Sequence, residues 1–116
     1  MKLSLPILTV AATMFVGSAS AFDPDDLQKL KDTGKCIRCD LYGASLDSAI
    51  LLEINLSGSL LVGASLRGAN LKGANLRGAD LLKINLRGAL LTGADLGYAN
   101  LVEANLSRAG LRDADL

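Results

Sequence analysis

The sequence contains no histidine and no tryptophan, and only 3% of its residues are aromatic. Histidine is the commonest general acid or base in enzymes, and no nucleophile stands at a suitable spacing from a base. The chain carries twelve basic and twelve acidic residues, so it has neither the basic excess of a nucleic-acid binder nor a strongly acidic surface. We therefore expect no enzymatic activity, no cofactor or metal, and no nucleic-acid partner.

Long apolar runs are also absent, except near the start of the chain. Lys2 precedes a mostly apolar stretch from Leu3 to Val16, and Ala19-Ser20-Ala21 forms an A-x-A cleavage site before Phe22. The stretch is too short to span a bilayer comfortably. We predict a secretory signal peptide over residues 1–21. The mature chain would then be secreted, with the periplasm as the first choice and the extracellular space or a lumen as alternatives, and would have no membrane attachment.

Cysteine is scarce, and the two cysteines, Cys36 and Cys39, are separated by two residues. Asp40 follows the pair where a haem-attachment motif needs histidine, and zinc lacks its remaining ligands. The βαβ context of a thioredoxin-like redox site is missing as well. In an oxidising compartment we predict a disulfide between Cys36 and Cys39. A thiol-redox role remains the alternative, and it requires an accessible Cys36.

Leucine, in contrast, occupies every fifth position over two thirds of the chain. In an α-helix this spacing would spread the leucines around the whole circumference, and in a straight strand it would place alternate leucines on opposite faces. The period fits a chain that turns a corner once per unit, as in a β-solenoid. The predicted core residues are Leu41, Leu46, Leu51, Leu56, Leu61, Leu66, Leu71, Leu76, Leu81, Leu86, Leu91, Leu96, Leu101, Leu106, Leu111 and Leu116.

The rest of each five-residue unit is also patterned. Two positions before the leucine stands alanine in twelve of sixteen units, and the second position after it is glycine in eight of fifteen. Units such as Ala69-Asn70-Leu71-Lys72-Gly73 and Ala74-Asn75-Leu76-Arg77-Gly78 resemble those of the pentapeptide-repeat family, over residues 39–116. The resemblance implies an all-β fold, a right-handed quadrilateral β-helix of about four coils with four units in each coil. Family members have unrelated functions, so the fold leaves function open.

A coil of twenty residues would bring positions twenty apart into one column. At the position after the leucine, one column is then apolar, and with the neighbouring Leu60 it forms a candidate protein-binding strip. This apolar strip consists of Tyr42, Leu60, Val62, Leu82 and Val102. It is either a ladder of side chains that supports adjacent coils or a docking surface for a protein partner. Arg67 and Arg87 fall in another column, where a solvated basic face is the simplest interpretation.

The segment 22–38 is predicted to cap the first coil of the repeat domain, residues 39–116. Asp23 is a good helix N-cap, Pro24 suits the first helical position, and Gly34 can end the helix. Leu27 and Leu30 share a face, which we expect to pack over the open coil because a helix this short is marginal alone. Phe22 is placed to pack against Leu27.

At the other end, no cap follows the last coil, which contains Leu101, Leu106, Leu111 and Leu116. We expect this coil to pair with a second copy of the chain, giving a homodimer through the C-terminal coil. The sequence as a whole indicates a secreted, non-enzymatic structural or protein-interaction module with an unidentified protein partner. The other alternative is mimicry of DNA against topoisomerases, which certain family members show, but the near-neutral charge and the predicted signal peptide oppose it.

Overall fold

The computed structural model describes residues 22–116, so the predicted signal peptide lies outside the described residues. One α-helix, α1 (Pro24–Thr33), precedes a solenoid. Within the described residues the solenoid contains no extended strand, because each five-residue side contributes a single residue to a parallel bridge. The all-β expectation is corrected to this extent: the coils are joined by isolated β-bridges instead of extended strands. The one helix is the predicted cap.

The bridges give the size of the coil. They pair residues twenty apart, as in Lys35 with Asn55, Asn55 with Asn75, and Asn75 with Asp95. Backbone bonds follow the same register, and the Leu41 N–H donates to the carbonyl of Leu60 at 2.8 Å. Four five-residue sides therefore form one coil, which confirms the four-sided β-helix. Its right-handedness stays a prediction from the family resemblance.

Each side ends in a tight turn that explains the glycines. The N–H of Ala44 donates to the carbonyl of Leu41 at 3.0 Å, and Gly43 between them has φ 66°. A positive φ at the third residue alone is the mark of a type II turn, in which glycine avoids the clash of a Cβ atom. Where the repeat lacks glycine, the backbone still adopts this conformation, as at Lys83 with φ 58°. The repeat geometry thus overrides the local preference of these residues.

The leucines fill the axis of the solenoid, as predicted. All twelve from Leu41 to Leu96 are at most 2% exposed, and the alanines beside them over the same span are at most 1% exposed. Leucines twenty apart stack along the axis, so every coil buries the core of its neighbours. Burial at about 2 kcal/mol per leucine makes this column the main stabilising feature of the fold.

The solenoid begins four residues earlier than the predicted boundary at residue 39. Lys35 already forms a bridge, and the Cys36 N–H donates to the carbonyl of Asn55 at 2.8 Å. Cys36 therefore occupies a leucine position and Cys39 the following alanine position, and Arg38 forms the corner between them with φ 58°. The bridged backbone thus extends to Lys35, ahead of residue 39, and in this first unit a cysteine stands at the position of the leucine.

Helix α1 has the predicted caps and the predicted location. The Asp23 carboxylate accepts from the Asp25 N–H at 2.9 Å, and Gly34 ends the helix with φ 73°. Leu30 is fully buried in the core, while Phe22 and Leu27 are partly buried against it. The Asp40 N–H donates to the Asp26 carboxylate at 2.7 Å, which links the helix to the first coil. The helix thus closes the N-terminal end of the solenoid.

Candidate functional site

The two cysteines lie at the first corner of the solenoid, beneath α1. Their Sγ atoms are 2.03 Å apart and their Cα atoms 5.3 Å apart, within the ordinary range for a disulfide. Cys36 is 0% exposed and Cys39 is 2% exposed. A redox-active pair needs an accessible thiol, so the burial of Cys36 opposes the thiol-redox alternative. The geometry instead suits a structural role at the junction of helix and coil.

A buried hydroxyl supports this corner. Ser59 is fully buried at an inward position normally taken by alanine, one coil after Cys39. Its Oγ accepts from the Cys39 N–H at 3.0 Å and donates to the Cys36 carbonyl at 2.5 Å. In the other turns this backbone pair bonds directly, as between Ala44 and Leu41. Ser59 therefore replaces the missing turn bond, which explains a polar residue in an apolar axis.

Removing this hydroxyl should destabilise the first corner. In Ser59→Ala the Cys39 N–H and the Cys36 carbonyl lose their buried partner, and each unsatisfied group costs about 1–3 kcal/mol. We expect the free energy of unfolding, measured by urea denaturation, to fall by about 2 kcal/mol. Ser45→Ala is the control, because Ser45 is exposed, and it should change stability by less than about 0.5 kcal/mol. Equal stability of the two variants would contradict the role of Ser59.

The structure brings the apolar strip together on one wall. The bridges Asp40 with Leu60 and Leu60 with Asp80 place its residues one coil apart. Tyr42 is 48% exposed and Val102 is 57% exposed, whereas the middle of the strip is half-buried. The strip therefore has two parts, a middle in which stacked side chains cover one another and two ends that remain open to solvent.

A second apolar wall was missed by the sequence analysis. Ile50, Leu52 and Leu90 are each between 42% and 49% exposed. Ile50 and Leu90 lie in one column of bridges, with Asn70 between them. The twenty-residue register, applied to the position before each leucine, would have revealed this column. Asn70 stands between Ile50 and Leu90 in this column, and the wall also carries Lys72.

The fourth side carries an exposed aromatic residue that the sequence analysis also passed over. Tyr98 is 85% exposed, and the Cζ atom of Arg77 lies 4.8 Å from the centroid of its ring. Arg77 also forms an ion pair with Asp95 at 3.7 Å. A cation over an aromatic face is attracted by the ring quadrupole, so these three side chains form a small cluster that holds the arginine in place.

The last coil differs from the coils before it. Leu101, Leu106 and Leu111 are partly buried, and Leu116 is 66% exposed. Their counterparts one coil earlier are at most 1% exposed. The axis is therefore open at this end of the described chain, where it presents leucine side chains to solvent.

Two further properties concern the described residues alone. Between residues 22 and 116, no three histidine, cysteine, aspartate or glutamate side chains are grouped so that they could hold a metal ion. Over the same residues, no helix has the length and apolar character needed to cross a membrane.

Comparison with known proteins identifies the repeat. A model of pentapeptide repeats matches residues 39–78, 69–108 and 84–116. A pentapeptide repeat protein from Nostoc PCC 7120 is 37% identical, with a TM-score of 0.68 over 74% of this chain and 72% of that one. A second, from the thylakoid lumen of Arabidopsis thaliana, is 25% identical, with a TM-score of 0.52 over 72% of this chain and 69% of that one. A search of curated proteins found no match. The repeat matches and the four-sided coil together place this chain in the pentapeptide-repeat family.

Proposed function

We propose that this chain is a non-enzymatic protein-interaction module, in which the apolar strip is the docking surface. The observation that carries the proposal is the exposure of Tyr42 and Val102, at 48% and 57%, on one wall of the solenoid. Aromatic and aliphatic side chains aligned in this way are typical of protein interfaces. The absence of histidine from the sequence supports a role without acid–base catalysis.

Substitutions in the half-buried middle of the strip can distinguish a docking surface from a ladder that only supports the coils. Val62 and Leu82 stack one coil apart, so the double substitution Val62→Glu and Leu82→Glu places two like charges on the strip. If the strip docks a protein, the variant should lose that partner in affinity capture from the native envelope or lumen fraction, at a temperature well below its melting temperature where it is still folded. Leu52→Glu, on a different wall and 49% exposed, is the matched control and should retain the partner.

A different outcome would reject docking. If the double variant melts well below the wild type and captures the same proteins, the strip is a supporting ladder and the proposal fails. Loss of capture by Leu52→Glu to the same extent would also reject it, because the effect would then follow from added charge rather than from this wall.

We further propose that two copies pair through their C-terminal coils, supported by the 66% exposure of Leu116 and the partial exposure of Leu101, Leu106 and Leu111. Covering this apolar end would give it the burial that the preceding coils already have. Sedimentation should show a dimer that Leu111→Glu converts to monomer. A wild-type protein that stays monomeric at high micromolar concentration would contradict the pairing.

The proposed location is outside the cytoplasm, in the periplasm, the extracellular space or a lumen. The signal-like pattern of residues 1–21 supports export, and one structural relative is described from a thylakoid lumen. An oxidising compartment would also favour the proposed disulfide between Cys36 and Cys39. N-terminal sequencing of the protein from its native host should begin at Phe22.

A further inference from the structure

One wall of the solenoid carries a groove that the proposed interaction role does not use. Its volume is about 410 Å³, at the small end of the range for small-molecule sites. It lies beside the column that contains Asp47, Arg67 and Arg87, and it extends across the adjacent corner. We call it the arginine groove, and its lining residues are Asp47, Ser48, Arg67, Gly68, Arg87, Gly88 and Arg108.

The arginines of this groove form no ion pair with any acid of the described residues. Arg67 and Arg87 follow one another in successive coils, since the Gly68 N–H donates to the Arg87 carbonyl at 2.9 Å. Like charges placed directly opposite each other in a sheet destabilise it. Within residues 22–116, no carboxylate oxygen lies within 4.0 Å of a guanidinium nitrogen of Arg67, Arg87 or Arg108.

Two cations elsewhere on the solenoid are paired with acids. Arg77 pairs with Asp95, eighteen residues on, at 3.7 Å, and Lys83 pairs with Glu103, twenty residues on, at 3.9 Å. A cation can therefore reach an acid of the next coil where the sequence provides one. Twenty residues after Arg67 stands Arg87, and twenty residues after Arg87 stands Ser107, so neither arginine has an acid at that position.

Asp47 does not neutralise the groove. One of its carboxylate oxygens, Oδ1, accepts from the Arg67 backbone N–H at 3.0 Å and also from the Ser65 hydroxyl. The carboxylate thus accepts hydrogen bonds from the next coil and forms no ion pair with the Arg67 guanidinium. Three guanidinium groups and one carboxylate leave a local charge of 3 − 1 = +2 in the groove, which matches a ligand with two negative charges.

The floor of the groove is open because two adjacent corners are glycine. Gly68 and Gly88 have φ 66° and 70°, and a side chain at either corner would lie against the cavity. A Cβ atom on Gly88 would come no nearer than 4.0 Å to another atom, the backbone nitrogen of Gly68. The space above these corners is therefore free, with arginine side chains on its border.

We propose that the arginine groove binds a small molecule with two neighbouring oxyanion groups. Adjacent coils stand about 4.8 Å apart, so the backbone positions of Arg67 and Arg87 lie at about that interval, and both side chains line the same groove. Each guanidinium can make two parallel hydrogen bonds to one carboxylate or phosphate group. Arg108, which lies one coil beyond Gly88, supplies the third charge. Diphosphates and short dicarboxylates share this chemistry.

The test compares probes with one and two oxyanion groups. Isothermal titration calorimetry at physiological salt would use pyrophosphate against orthophosphate, and succinate against acetate. We expect pyrophosphate to bind at least about tenfold more tightly than orthophosphate, or succinate at least about tenfold more tightly than acetate. The reason is that the probe with two oxyanion groups makes two charge-assisted contacts at once. We call pyrophosphate and succinate the two-headed probes, and orthophosphate and acetate the one-headed probes. The pair that shows this difference identifies the anion as phosphate or carboxylate.

Three variants test the location. Arg87→Gln should weaken the two-headed probe by at least about tenfold. Gly88→Asn should also weaken it, because asparagine tolerates a positive φ and fills the groove without changing its charge. Arg112→Gln removes one exposed charge from a different wall and should leave binding unchanged. No saturable binding of any probe, equal binding of one- and two-headed probes, or an equal loss in Arg112→Gln would each overturn the proposal.

Discussion

Leu61→Ala is expected to lower the free energy of unfolding by about 3 kcal/mol. Leu61 is 0% exposed, and its column contains Leu41 below and Leu81 above at the twenty-residue interval. Backbone bonds on every side hold the coils at a fixed spacing, so the axis cannot collapse into the space that the side chain leaves. The cost therefore includes a cavity as well as lost burial. Denaturant unfolding at equilibrium measures the change.

The same substitution at Leu101 is the control, because it belongs to the same column but is only partly buried. We expect Leu101→Ala to cost less than half as much as Leu61→Ala. In a solenoid each coil contacts only its neighbours, so an interior defect weakens two interfaces and a defect in the last coil only one. Equal costs at the two positions would contradict a core that is dense inside and open at this end.

Leu30→Asp should detach α1 from the solenoid and reduce stability by about 3 kcal/mol. Leu30 is the one fully buried residue of a ten-residue helix, and a carboxylate at its place would lie in the apolar axis without a partner. Because so short a helix is not stable alone in water, circular dichroism should show the helical signal disappear with undocking.

The loss should be local, and hydrogen exchange can show this. The amide of Leu41 donates to the carbonyl of Leu60, while that of Leu71 donates to Leu90 farther along the chain. Uncovering the first coil should speed exchange at Leu41 much more than at Leu71. Lys31→Ala, at an exposed helix position, is the control and should leave both amides protected. Unchanged protection of Leu41 in Leu30→Asp would mean that α1 is not the cap.

The features predicted correctly are those that depend on neighbouring residues or on a repeated sequence pattern. The ends of α1 followed from Asp23, Pro24 and Gly34, because helix caps depend on neighbouring side chains and backbone groups. The coil followed from the leucine period and from columns twenty residues apart, which the bridges confirm. Both kinds of pattern can be read without knowing how distant residues pack.

The features that were missed depend on exceptions to the pattern. The first repeat was hidden because Cys36 stands where a leucine was expected. Ser59 and Cys39 are both exceptions at the alanine position and lie one coil apart, so their contact could have been inferred from the register. The groove beside Arg87 could not be inferred from the sequence. Its depth depends on the conformations of the arginine side chains around the glycine corners.

The direction of the hydrogen bonds between coils has a mechanical consequence. Because residues twenty apart pair from coil to coil, these bonds lie along the solenoid axis, and a force applied to the two chain ends breaks the bonds of an end coil one after another. An end coil has only one neighbouring coil, so it peels away before an interior coil does. Each release frees twenty residues, or about 70 Å of extended chain. Under tension the solenoid should therefore unfold coil by coil, in a series of small equal length increases, instead of in one cooperative event.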